Sequence, residues 1–306
     1  MRRMQRIRVV GMISMVVIAC MTLDLARAQA THPKEYWRKI TANHYAVPEG
    51  EKAFALAKEL SSYLKSSDPE LRDGLAYSTL ATWIVEQGDF SREELLELEE
   101  EWSGNLKAGI GEDGTDSIFG RSFSALCLSA LAERELKTPF LGGARYRMLL
   151  EAAKNYLNDE RDLRGFDAKK GWIHATAHTA DLLAALARHP SFTKQDQASV
   201  LEAIRQKLEM VHTIFTYGEQ DRLANVLAAL ASRKDFEASG FQAWILKMDK
   251  ADFSFWNESP PPLEKLRRFE NDSYLLRGFV ARISDEEISP SAEEARQAVL
   301  KSLRRR

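Results

Sequence analysis

The stretch Lys170-Gly171-Trp172-Ile173-His174-Ala175-Thr176-Ala177-His178-Thr179-Ala180-Asp181-Leu182-Leu183 decides how this chain is read. From Trp172 to Ala187, His174, His178 and Asp181 are the only ionisable side chains, and the rest are alanine, leucine, isoleucine, tryptophan and two threonines. A helix apolar on every side is normally buried. At 100° per residue, His178 lies about 40° from His174 and Asp181 about 20° to its other side, so all three share an arc of about 60°. Titratable groups on a buried helix need partners, because each unpaired polar group costs several kcal/mol.

Two chemistries answer that need. Neutral imidazoles one turn apart plus a carboxylate suit zinc or another divalent ion, with His174, His178 and Asp181 as ligands. Alternatively, the three belong to a satisfied polar network in which Asp181 fixes the tautomer of His178 and arginines or backbone groups complete it. The His-x3-His-x2-Asp spacing lacks the glutamate that zincin proteases place beside the first histidine, since Ala175 stands there. In the preceding loop, Glu160-Arg161-Asp162-Leu163-Arg164-Gly165-Phe166-Asp167 packs three carboxylates and two arginines. Asp162 and Asp167 are the candidates there for a catalytic base or a group behind the ligands, against a simpler role in capping and ion pairing; Arg164 belongs to the same polar cluster.

Outward from this centre the chain reads as helix after helix. Asp68-Pro69 offers a capping aspartate with proline at the first helical position. Ser91-Arg92-Glu93-Glu94 and Ser291-Ala292-Glu293-Glu294 both fit the capping box. Further helices are expected over 49–65, 117–135, 143–158, 172–188, 194–216, 220–233, 237–249 and 262–283, and no segment alternates convincingly as a strand. The expected fold is all-α, with stacked antiparallel helical pairs in a HEAT- or armadillo-like superhelix, or else an α/α toroid. One domain over 33–306 is expected.

The first residues carry a different signal. Arg2, Arg3, Arg6 and Arg8 precede an uncharged, largely apolar run from Val9 to Leu23, followed by Ala26-Arg27-Ala28-Gln29-Ala30. This is the pattern of a secretory signal over 1–28, and its apolar run is short for a membrane span. Val17-Ile18-Ala19-Cys20 also fits a lipobox, with Cys20 as the lipidated residue of a membrane-anchored lipoprotein. The expected location is periplasmic or secreted. Cleavage leaves Cys127 alone within an apolar helical stretch, where a thiol is a small buried hydrophobe.

With 43 Lys+Arg against 45 Asp+Glu, the charge balance gives no case for nucleic-acid binding. Gly109-Ile110-Gly111-Glu112-Asp113-Gly114 fits a dinucleotide fingerprint, but no strand precedes it and its acids would repel a pyrophosphate. A calcium loop starting at Asp113 would need glutamate at its twelfth position, which is Ser124. Gly120-Arg121-Ser122-Phe123-Ser124 lacks the second glycine of a nucleophile elbow. Charged clusters at Arg72-Asp73, Arg121 and Glu219-Gln220-Asp221-Arg222 read as caps or surface pairs.

Taken in order, several segments resemble one family. They are Leu71-Arg72-Asp73 with Tyr77 and Trp83, then Asp116 to Ser124, then Asp162-Leu163-Arg164-Gly165-Phe166. The Lys170-Gly171-Trp172 block with both histidines and Asp181 follows, and Glu219 to Ala224 completes the series. This order and spacing, over residues 70–283, is similar to the bacterial domain-of-unknown-function family 2785. Thr179 stands where the family pattern has glycine, and Gln220 interrupts a more acidic pattern. The resemblance implies an all-α, HEAT-like fold and no established activity. The leading expectation is an exported helical module that binds a protein or small-molecule partner. Its rival is a metal-dependent hydrolase built on His174, His178 and Asp181.

Overall fold

Twelve α-helices and one very short hairpin make up the described residues, which are 31–87, 90–249, 253–283 and 288–306 of this computed structural model. In chain order the helices are α1 (Lys34–Ala42), α2 (Ala53–Tyr63), α3 (Ser78–Thr82), α4 (Arg92–Asn105), α5 (Ser117–Lys137) and α6 (Gly142–Asp159). After the hairpin come α7 (Ala175–Ala187), α8 (Lys194–Met210), α9 (Glu219–Ala231), α10 (Ala238–Met248), α11 (Leu263–Arg282) and α12 (Pro290–Leu303). The π-wound segments Glu70–Tyr77 and Trp83–Gln87 run continuously into the two ends of α3. Residues Lys34–Arg306 form one compact unit.

The all-α expectation holds, and the reason lies in α7. Of its residues only Asp181 and Ala184 are not buried. It is packed between α5 and α9, and α9 packs in turn on α11. α6, α8, α10 and α12 follow one another in a second layer, so consecutive helices alternate between layers as stacked pairs. Cys127 is a buried free thiol on α5, and burial pushes its pKa up.

Capping follows the sequence at two of three places. Ser91 and Glu94 form a reciprocal capping box at α4, and the Asp68 carboxylate accepts hydrogen bonds from the Glu70 and Leu71 amides at 3.0 and 3.3 Å. The box expected at Ser291 is displaced: Ser289 caps α12, with Pro290 in the first turn.

Two boundaries lie well away from expectation, and one helix is unexpected. The helix expected from 172 starts at Ala175, because Gly171 and His174 have φ of 72° and 56°, outside the right-handed helical region. In place of a first helical turn, β1 (Phe166–Asp167) pairs antiparallel with β2 (Gly171–Trp172), Phe166 opposite Trp172. The helix expected to reach 216 stops at Met210. The following loop is held instead by α11 and α9: Asn271 accepts from the Phe215 amide and donates to the Thr213 carbonyl, both at 2.9 Å, while Gln220 donates to the Phe215 carbonyl at 2.7 Å. α1 had no counterpart in the sequence reading; it buries Trp37 and Ile40. The signal expected over 1–28 and the lipidation expected at Cys20 fall outside the described residues.

Candidate functional site

Arg72 sets the geometry from behind. Its guanidinium is fully buried and donates to the carbonyls of Ser66, Lys170 and Trp172 at 2.7, 2.6 and 2.9 Å. It also lies over the Phe119 and Phe123 rings, 4.0 and 4.7 Å from their centroids. A buried cation without a carboxylate is costly, and carbonyl dipoles with two π faces offset that cost. The result is that β2, and Trp172 with it, is tied to α5 and to the π-wound segment. The expectation of a surface pair at Arg72 is thereby corrected.

His174 is not on the helix, so the shared stripe does not arise from helical periodicity. The left-handed backbone at His174 turns its ring flat against Trp172, with centroids 4.6 Å apart and planes 19° from parallel. Its Nε2 lies 2.9 Å from the Tyr217 carbonyl. A carbonyl only accepts, so Nε2 carries the hydrogen and Nδ1 the lone pair. His178, one turn into α7, shows the opposite tautomer. Its Nδ1 is 2.8 Å from the Ser122 hydroxyl and 3.3 Å from the Ser122 carbonyl. Ser122 gives its own proton to the Ile173 carbonyl, so His178 Nδ1–H is the donor and Nε2 is a bare acceptor. Both rings are only 6% exposed, and burial lowers the His174 pKa to about 4 and that of His178 well below the usual value. Two neutral imidazoles of fixed, opposite tautomer result.

These rings help line a cavity of about 730 Å³, a size suited to a small molecule. Asp73 and Tyr77 reach it from the π-wound segment, Asp181 from α7, and Arg222 and Asn225 from α9. Asp181 pairs with Arg222 at 2.6 Å, while Arg188 pairs with Glu133 on another part of the wall. Burial raises the pKa of Asp73 and of Asp181, the latter against the opposing pull of Arg222. The Asp73 carboxylate makes no hydrogen bond or ion pair among the described residues. Trp172 and Tyr217 also line the cavity and are 39% and 46% exposed, with Phe166 beside them in one aromatic cluster.

Other singled-out residues sit elsewhere. Asp162 is buried, binds Arg164 at 2.6 Å and accepts from the Gly114 amide at 3.1 Å, so it fastens the loop before α5. Asp167 accepts from the Lys169 and Lys170 amides, both at 2.8 Å, and closes the hairpin turn. Neither is on the cavity wall. Arg121, expected at the surface, is buried against Glu160 at 2.6 Å. Glu219 accepts from the Tyr217 amide at 2.9 Å and stands 3.9 Å from His174, with its pKa raised by burial. Asp221 meets Arg282 at 3.2 Å on the exposed side of α9. Among the described residues, no three His, Cys, Asp or Glu are grouped so as to hold one metal ion.

A family model described as "Protein of unknown function (DUF2785)" matches residues 106–280. The chain belongs to this family. Within the DUF2785 span lie both histidines, Trp172, Asp181, Tyr217 and Arg222; Asp73 and Tyr77 precede it. Comparison with curated proteins and with solved structures gave no match. Tyr217, Asn225, Arg188, Glu133 and Ser129 join the cavity without having been singled out in the sequence. Gly218, with φ of 89° just before α9, was the available sign that the chain turns at Tyr217.

Proposed function

We propose that this DUF2785 protein binds a small hydroxyl-rich molecule of the sugar type in the cavity beside α7, and that it does so outside the cytoplasm. One observation carries the binding reading: the exposed Trp172 and Tyr217 rings border a wall of fixed hydrogen-bonding groups. Flat rings take up the C–H faces of a sugar, and the carboxylates, guanidinium groups and imidazoles exchange hydrogen bonds with its hydroxyls. Export rests on the basic, apolar and small-residue pattern of residues 1–28. No helix among the described residues is long and apolar enough to cross a membrane.

The rival metal-dependent hydrolase has one point in its favour: His174 Nδ1 and His178 Nε2 both keep lone pairs, and their N–H groups are held as those of metal-bound histidines are. The third donor does not fit, since Asp181 is engaged by Arg222. Calorimetric titration of residues 29–306 with a panel of neutral and amino hexoses tests the proposal. Saturable binding, weakened at least about tenfold in Trp172→Ala, is the expected result, since stacked aromatic anchors dominate such sites. No binding by any hexose, or near-stoichiometric zinc in the purified protein by elemental mass spectrometry, would replace it with the rival.

A further inference from the structure

Acceptors on the cavity wall are left unmet by donors of the described residues. His178 Nε2 is an acceptor that cannot become a donor near neutral pH, because burial keeps the ring neutral and Nδ1 holds the only proton. It is nine-tenths buried and partnerless among the described residues. Asp73 adds a carboxylate with no hydrogen bond. The two guanidinium groups on the wall are already paired, Arg222 with Asp181 and Arg188 with Glu133. Arg72 attracts Asp73 electrostatically, but its Nη1 and Nη2 donate to three carbonyls, its faces meet two phenyl rings, and its buried Nε–H makes no hydrogen bond to Asp73. Neutral donors on the lining include the Tyr77 and Tyr217 hydroxyls, the Trp172 indole N–H and the Asn225 amide, and none of them carries a charge to set against Asp73.

A neutral ligand filling this space would strip water from Asp73 without supplying a counter-charge. That is the expensive way to bury a carboxylate. An ammonium group removes the cost: its N–H donors satisfy the Asp73 carboxylate, its charge compensates it, and that charge is favoured by nearby aromatic faces. Tyr77, Trp172 and Tyr217 supply such faces on this lining.

We infer that the cavity selects an amino sugar over a neutral one, with Asp73 receiving the ammonium group. The inference rests on the sugar-binding reading and narrows it. Titration calorimetry at pH 7 with D-glucose, D-glucosamine and N-acetyl-D-glucosamine tests it, because acetylation removes the charge and keeps the ring. Glucosamine should bind at least about tenfold more tightly than the other two, a difference of about 1.4 kcal/mol. In Asp73→Asn that ratio should fall to near one, whatever the change in glucose affinity itself. The ligand-side comparison stands on its own if Asp73→Asn folds poorly. Equal affinity for all three sugars in the wild type, or an unchanged ratio in a folded Asp73→Asn, overturns the ammonium assignment and leaves the sugar reading intact. Ethanolamine binding as tightly as glucosamine overturns the sugar part. Absence of binding by every probe overturns both.

Discussion

Two histidines four residues apart hold opposite tautomers because different oxygens reach them, a backbone carbonyl in one case and a serine hydroxyl in the other. His174 gives its Nε2 hydrogen to a loop carbonyl; His178 gives its Nδ1 hydrogen to Ser122. Long-range ¹H–¹⁵N spectra at pH 6.5 should therefore show one Nε2–H and one Nδ1–H imidazole, both neutral. A protonated ring at either position would refute the assignment. The depressed His174 pKa also has a stability consequence with a definite sign. Above its ordinary value of 6.5 neither state binds the proton; from 6.5 down to about 4 the unfolded chain binds it and the folded chain does not. Stability contributed by the neutral ring is therefore full above 6.5 and falls as pH drops through this window, by about 1.4 kcal/mol per unit. Buried carboxylates with raised pKa, Asp272 at about 6 among them, push the other way, so the measurement must be a difference. His174→Asn keeps a residue that tolerates the left-handed backbone. Its stability relative to wild type should rise by about that slope as pH falls from 6.5 to 4.5, read from urea midpoints. A pH-independent difference would contradict the buried neutral ring.

At the scale of elements, the β1–β2 hairpin and the 211–218 loop bring the aromatic border together. Gly165 is where they touch: a Cβ there would overlap the Tyr217 ring and the Glu219 carboxylate. Gly165→Ala should push Tyr217 outward and weaken sugar binding several-fold, with a melting temperature a few degrees lower. Unchanged affinity would show that Tyr217 does not shape the site. This pairing also explains what the sequence made legible. α7 was readable because polar residues are almost missing from it, and α4 because Ser91 and Glu94 spell a cap. A two-residue strand leaves no periodicity to detect, so residues 172–174 read as the first turn of α7. The apolar spacing past Met210 likewise continued a helix that Asn271 and Gln220, distant in sequence, hold open as a loop. His174, His178 and Asp181 stand out by their spacing on an apolar stretch, whereas Asp73 and Arg222 read only as caps or surface pairs and Trp172 enters through the family resemblance. That they face one cavity with Tyr77 and Tyr217 depends on the left-handed turn at His174, which no helical-wheel argument contains.

For the whole molecule, α7 serves both as the centre of the stack and as one wall of the cavity, and the two roles fall on neighbouring alanines. Ala180 is fully buried in a helix packed between α5 and α9, whereas Ala184 is partly exposed and lines the cavity. Small residues here allow close helix approach, and extra methylenes in a packed interior cost about 1–3 kcal/mol. Ala180→Leu should therefore lower stability by about that amount. Ala184→Leu instead places its added volume in the cavity, where no packed neighbour must move, so the melting temperature should stay within about a degree while sugar affinity drops at least about tenfold. The pair separates folding from binding on one helix. Loss of stability in Ala184→Leu equal to that in Ala180→Leu would mean that the cavity wall is part of the packed core, and full affinity in a folded Ala184→Leu would place the ligand elsewhere.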